Sequence, residues 1–271
     1  MRSAHIRPLV LATALGMLVA GGASARTSAQ AVETLPYDHI HLNVPEPAVA
    51  FQWYLKNIGG TVNDEAPNRI SYGTTRFMFL NSKTGTPSAG SSVDHIGFSF
   101  PDLDAKVKEL EANGVKLEGP IRDLPGIFKI AFAVDPWGTR LELVQDPDLL
   151  GLHHVHMRAP NPEDTFKWLL SNFGGERTAL KGKIDAVKYA APDFSTVWIL
   201  VSKGEAAPSK GRAIDHIGWR VKDLNAKVAE LTGKSVTMET QPRALPLPNK
   251  TTIYYAYVEG PSGARIELVQ R

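Results

Sequence analysis

Apolar and polar residues alternate along four short runs of the chain. Each run leads into a stretch where apolar residues recur at helical spacing. In VDHIGFSF, residues 93–100, Ile96, Phe98 and Phe100 fall on one face of a strand, and His95, Gly97 and Ser99 on the other. IDHIGWRV, residues 214–221, repeats the pattern, with Ile217, Trp219 and Val221 against His216, Gly218 and Arg220. The following DLDAKVKELEANG spaces Leu103, Val107 and Leu110 as one face of a helix and puts Gly114 where a helix stop belongs. Two more runs, IFKIAFAV and TRLELVQ, predict strands joined by the turn Asp135-Pro136-Trp137-Gly138. TIYYAYVEG and ARIELVQ, joined by Gly260-Pro261-Ser262-Gly263, match them near the end of the chain.

The same plan begins at YDHIHLNV from Tyr37 and LHHVHMRA from Leu152, so the chain holds four units. The first resembles the third and the second resembles the fourth. Each reads strand–helix–strands, βαβββ, and alone would expose an apolar sheet face; two units side by side bury it. The expected fold is therefore α+β, with units paired in sequence order into two tandem cup-shaped half-barrels. Polar, small-residue linkers at 81–92 and 202–213 join units within each half, and DPDLL from Asp146 joins the halves. This places an N-terminal domain at 37–147 and a C-terminal domain at 151–271.

Residues 1–31 have another character. MRSAHIR is a short basic start, PLVLATALGMLVAGG is apolar for 15 residues, and small-residue cleavage patterns end at Ala25 and Ala31. The segment reads as a signal peptide too short to span a membrane comfortably, with a periplasmic or secreted mature protein and no stable membrane insertion after its removal. The chain's formal charge is +2, but without this segment 27 basic residues face 28 acidic ones, and no basic stripe remains to recognise nucleic acid. Cysteine is absent, which excludes disulfides and thiolate metal sites.

Of eight histidines, every one beyond His5 lies in the first strand of a unit. Packing gives no reason for a histidine to recur at one offset in four copies; ligation does. Leu141 and Leu143 turn Glu142 toward the histidine face, and Ile266 and Leu268 do the same for Glu267. A carboxylate so placed is costly unless it is paired or coordinates an ion. Sequence-ordered pairing predicts two metal sets, His154, His216 and Glu267 in the C-terminal half, and His39, His95 and Glu142 in the N-terminal half. Two imidazoles and a carboxylate leave positions open for water or substrate, as a catalytic ion needs. His41 and His156 share the ligand face as orienting groups or substrate contacts, while His153 points the other way and reads as structural. Arg158 and Arg220 face the cleft and are candidates to hold an anionic substrate.

The motifs YDHIHLNV, VDHIGFSF, LHHVHMRA, IDHIGWRV, DPWGTRLELVQ and GPSGARIELVQ resemble those of the vicinal oxygen chelate superfamily, which includes glyoxalase I, extradiol dioxygenases and bleomycin-resistance proteins. The resemblance spans residues 37–271. Glyoxalase I-like members carry a ligand carboxylate in both paired units. Here Met78 falls opposite Glu142 in the alignment, so that four-ligand pattern is broken. Dependence on cytosolic glutathione also sits badly with export. The three-ligand pattern is closer to extradiol dioxygenases, whose active-site tyrosine stands ten residues before the ligand glutamate. Tyr257 is ten before Glu267, with Tyr255 on the same face, whereas Phe132 holds that place before Glu142. The histidine those enzymes carry upstream of the tyrosine is missing from QPRALPLPNKTTIYY.

These readings converge on an exported enzyme dependent on a divalent metal, Fe, Mn, Zn or Ni. It would act on a small molecule that chelates the ion through adjacent oxygens, by dioxygenase-like or isomerase/lyase-like chemistry, with Tyr257 as acid or hydrogen-bond donor. The alternative is a bleomycin-resistance-type protein that sequesters a ligand without chemistry. One set of ligands working while the other serves structure is a further possibility. A monomer or a homodimer is expected.

Overall fold

A computed structural model describes Met1, residues 34–83 and residues 85–271. The signal expected over residues 1–31 lies, but for Met1, outside them.

The four units follow in order. The first comprises β1 (Thr34–Val44), α1 (Pro47–Asn57), β2 (Thr61–Val62), β3 (Arg69–Tyr72) and β4 (Thr75–Asn81). The second comprises β5 (Val93–Ser99), α2 (Leu103–Ala112), β6 (Lys116–Leu117), β7 (Arg122–Leu124), β8 (Phe128–Val134) and β9 (Arg140–Gln145). The third comprises β10 (Gly151–Ala159), α3 (Pro162–Phe173), β11 (Glu176–Leu180), β12 (Ile184–Ala191) and β13 (Phe194–Lys203). The fourth comprises β14 (Ile214–Val221), α4 (Leu224–Gly233), β15 (Arg243–Pro246), β16 (Thr252–Glu259) and β17 (Arg265–Gln270).

Local chemistry sets these boundaries. Asp102 and Asp223 cap α2 and α4 by accepting from the backbone N–H groups of Ala105 and Ala226, each at 2.9 Å. Pro47 and Pro162 open α1 and α3, where no N–H is needed. Past the end of α2, Gly114 adopts φ +74° and returns its N–H to Glu111. Leu103, Val107 and Leu110 are the buried face of α2, as the spacing predicts. No helix among the described residues is long and apolar enough to cross a membrane.

The α+β class and the four-unit plan match the sequence reading, but the pairing of units does not follow it. One sheet runs β15-β16-β17-β14-β1-β4-β3-β2 and joins the fourth unit to the first. The other runs β11-β12-β13-β10-β5-β9-β8-β6 and joins the third unit to the second, with β7 alongside β8. The seams are the antiparallel pairs β1–β14 and β10–β5. The segment expected as the domain boundary, residues 146–150, instead connects β9 to β10 within one sheet. The physical reason is connection length: five residues carry the chain past one neighbouring strand, while the two long linkers cross between sheets. Those linkers also pair with each other, through bridges Thr86–Arg212 and Ser91–Ala207.

Ile40, Leu42, Ile96, Val155, Ile217 and Trp219 all enter a single core with the helices, so the two sheets share their apolar faces. Tyr72 meets Phe98 and Tyr189 meets Trp219 across that core, with ring centroids 4.9 and 5.8 Å apart. Within each chain half the units touch through their helices. Asn113 Nδ2 donates to Asn57 Oδ1 at 3.0 Å, and Lys234 Nζ donates to the Ser171 carbonyl at 2.7 Å.

Asp135, in the turn between β8 and β9, ties the second unit to the first. It accepts from Tyr54 Oη at 2.8 Å and from the backbone of Trp137 and Thr139 at 2.9 and 2.6 Å. Burial outweighs these donors and pushes its carboxyl up to about 6. A folded-state value above the unfolded one favours folding of the protonated form, so this contribution is present below about pH 4 and is lost as pH rises through about 6. Chemical denaturation of the wild type and Asp135→Asn across pH 4–7 should show their stability difference shifting against the wild type by about 3 kcal/mol. A flat difference would refute the assignment.

Candidate metal centres

Alternation along β1 sends Ile40, Leu42 and Val44 to the core and His39, His41 and Asn43 to the opposite face. The register then draws one row of residues across the sheet. His39 stands opposite Gly218, Gly218 opposite Glu267, and Glu267 opposite Tyr257. His39 and Glu267 therefore sit two strands apart, yet His39 Nε2 reaches Glu267 Oε2 at 3.2 Å because the intervening glycine has no side chain. A Cβ on Gly218 would collide with the His39 ring. The second sheet repeats the row as His154, Gly97, Glu142 and Phe132. His154 Nε2 lies 3.2 Å from Glu142 Oε2, and a Cβ on Gly97 would strike its ring.

The next row adds two more imidazoles on each seam, His41 opposite His216 and His156 opposite His95. His216 Nε2 and His95 Nε2 each lie 2.9 Å from the glutamate of their sheet. Two groups result, His39–His41–His216–Glu267 and His95–Glu142–His154–His156, with the ligand atoms of each within 4.8 Å of one another. The expected sets are thus regrouped. His216 and Glu267 stay together but exchange His154 for His39, and His95 and Glu142 exchange His39 for His154. Crosswise pairing of the units is the cause.

Met78 pairs with His41 and Leu200 with His156, each on the last strand of its unit. Met78 holds the place at which the sequence reading found the glyoxalase I-like carboxylate replaced, and a histidine of the adjoining strand lies beside it. His41 and His156, read from sequence as orienting groups or substrate contacts, bring ligand atoms into the groups themselves.

A carboxylate stands behind three of these six rings. Asp38, Asp94 and Asp215 accept from Nδ1 of His39, His95 and His216 at 2.9, 2.6 and 2.5 Å. A carboxylate cannot donate, so Nδ1 carries the hydrogen and Nε2 points at the glutamate. Sequence reading missed these acids, although the dipeptide Asp-His recurs in three of the four units. In the third unit the place is taken by His153, whose Nδ1 lies 2.8 Å from Nδ1 of His154 and whose Nε2 lies 3.2 Å from Asp146. Burial and the neighbouring His154 lower His153 to about 4, so it is neutral. It turns one nitrogen to His154 and the other to Asp146.

The electrostatics fit a cation. Burial would raise Glu267, but His39 and His216 hold it well below the usual carboxylate range, and His154 and His95 do the same for Glu142. Burial, reinforced by the adjacent imidazoles, pushes His41 and His156 well below the usual histidine value. Each therefore keeps a lone pair free. His156 Nδ1 is buried with no hydrogen-bond partner among the described residues, an arrangement a metal would satisfy.

Tyr257 lies beside its group, its ring centroid 5.0 Å from that of His216. Burial and the Glu267 charge raise its phenol, which keeps its proton. Tyr255, 5.7 Å from Tyr257 between ring centroids, lines the same cavity of about 310 Å³ together with Arg69 and Arg271. Arg220 is committed elsewhere, donating to Asp38 at 2.9 and 3.1 Å. Arg158 donates to the Glu205 carbonyl on the other sheet at 2.9 Å. Neither lines this cavity.

Residues 37–143 match the Glyoxalase/Bleomycin resistance protein/Dioxygenase superfamily. The match falls within the first two of the four units. No curated protein matches the sequence. Glyoxalase I from Zea mays shares 21% identity at a TM-score of 0.65, covering 86% of this chain and 92% of its own. A candidate dioxygenase from Bacillus subtilis shares 18% at 0.57, covering 89% and 86%. Both are likenesses of fold, and they cover both sheets.

Replacing Gly218 with Ala should force the His39 ring away from Glu267 and weaken metal binding at that group by on the order of 10- to 100-fold. Gly97→Ala should do the same to the other group. Metal titration of each variant checks this, and unchanged affinity in Gly218→Ala would show that the ring is not held over the glycine.

Proposed function

We propose that the protein is a divalent-metal-dependent enzyme of the vicinal oxygen chelate type, working at His39, His41, His216 and Glu267. Its substrate is a small molecule that chelates the ion through adjacent oxygens. The observation that carries this reading is the cavity above the group, lined by His39, His41, Glu267, two tyrosines and two arginines, with His216 completing the ligand group. Bound there, Fe, Mn, Zn or Ni would act as a Lewis acid on a substrate oxygen, and a nitrogen and carboxylate donor set suits all four.

The chain's own groups divide the remaining tasks. Asp38 and Asp215 fix the tautomers of His39 and His216. Asp38 is in turn gripped by Arg271, with contacts from 2.8 to 3.1 Å, so the His39 ring rests on a buried ion network. Tyr257, protonated and partly exposed to the cavity, donates a hydrogen bond to the substrate or to charge that develops on it. The apolar walls at Leu245, Ile253 and Phe79 exclude water from that exchange. Dioxygenase-like and isomerase/lyase-like reactions both use such a site. A sequestering protein would need neither the converging ligands nor the acids behind them. The mature protein acts outside the cytoplasm once its signal is removed, as a monomer or homodimer.

Metal analysis of the purified chain tests this reading, combined with a turnover screen of catechols and 2-oxo compounds. His216→Ala and Glu267→Gln should each lose the ion of this group, and Tyr257→Phe should keep it while turnover falls about 10²- to 10⁴-fold. Full metal retention in His216→Ala would discard the site. Metal without turnover on any chelating compound would favour sequestration.

A further inference from the structure

The two groups share ligand types but not surroundings. Beside Glu142, where the first group has Tyr257, stands Phe132, its ring 5.4 Å from that of His95. The face around Glu142 carries a packed apolar cluster, Phe128, Ile130, Val144, Leu180, Ala186 and Leu200, all buried. Cross-strand register places Ile130 with Val144 and Ala186 with Leu200, so these residues lie on the ligand side of their sheet. The two rims of this cup also meet, because Lys183 Nζ from the β11–β12 turn donates to the Pro125 carbonyl of the β7–β8 turn at 2.8 Å. In the other sheet the matching rims, residues 62–68 and 248–249, line a cavity of about 400 Å³.

We infer that His95, Glu142, His154 and His156 form a second metal site, structural in role, which holds a divalent ion such as Zn²⁺ with four protein ligands beneath an apolar cap and takes no substrate. The ligand set is the same as in the first group, so the surroundings separate the two: no phenol stands beside this glutamate, and the apolar cluster and the bridged rims cover its ligand side. The unpartnered, buried Nδ1 of His156 is the independent sign that a ligand belongs there. No carboxylate stands behind Nδ1 of His154. Its ring is held by His153, itself fully buried and backed by Asp146.

The metal-free full-length chain should take up two Zn²⁺ ions. On addition of EDTA one should leave quickly, through the cavity, and the other at least tenfold more slowly. Glu142→Gln and His156→Ala should abolish the slow phase and lower Tm by roughly 10 °C, as loss of a tightly bound ion does. Glu267→Gln should abolish the fast phase and leave the slow one. Uptake of one ion that survives Glu142→Gln would overturn the inference, as would two ions released at the same rate. Should Glu142→Gln fail to fold, the wild-type stoichiometry and its two release phases still decide. Loss of the fast phase alone bears on the proposed catalytic site, so the two readings fail separately.

Discussion

Every feature of the ligand groups depends on one steric gap. Neighbouring strands lie about 4.8 Å apart, so side chains two strands apart normally have another side chain between them. Gly97 and Gly218 remove that obstacle, and a histidine from the partner unit lies across the bare backbone to meet the glutamate beyond. The gap works only if the seam between units holds its register, since a slip of one residue would turn both rows to the core. That register is enforced by the core itself, because Ile40 and Ile217 face each other with no exposure at all, as do Ile96 and Val155.

The same geometry explains what the sequence makes legible and what it conceals. Faces follow from alternation, so Glu142, Glu267 and the histidines could be assigned to the ligand side from Leu141, Leu143, Ile266 and Leu268 alone. Pairing could not be assigned in that way. The second and fourth units supply the glycine, and the first and third supply the histidine that covers it. Any pairing of an odd unit with an even one satisfies that complementarity. The distinguishing signal is connection length: residues 146–150 are too few for a comfortable passage between sheets, while the linkers at 81–92 and 202–213 have chain to spare. Reading the shortest connection as a domain boundary inverted that logic and exchanged His39 for His154 in the expected metal sets.

Burying a glutamate among histidines imposes an electrostatic condition. In a low-dielectric site, converging lone pairs repel unless a positive charge sits among them. In the metal-free state protons can play that part, and the lowered Glu142 and Glu267 together with the raised His39 and His95 express it. The aspartates behind the rings then make the donor geometry independent of the ion. They pin each Nδ1 hydrogen and are themselves pinned, Asp215 by Arg265 at 2.7 Å and Asp94 by Arg140 at 3.2 Å. Arg265 and Arg140 occupy the same place in the fourth and second units, so the orienting network repeats along with the ligands.

Where the repeat breaks, the two cups diverge in what they can do. Tyr257 becomes Phe132 and Asp38 becomes His153, while the open rim of one sheet becomes the Lys183–Pro125 bridge of the other. None of these changes replaces a ligand or a glycine of the gap, so the donors still converge while access and proton donation change. A duplicated scaffold permits such divergence because the cups lie on opposite sides of a shared core, and losing the cavity of one does not disturb the walls of the other. The shared core also links their fates. An ion that stiffened the closed cup would stabilise the apolar layer on which β1 and β14 rest, and through it the register that His39 needs to reach Glu267.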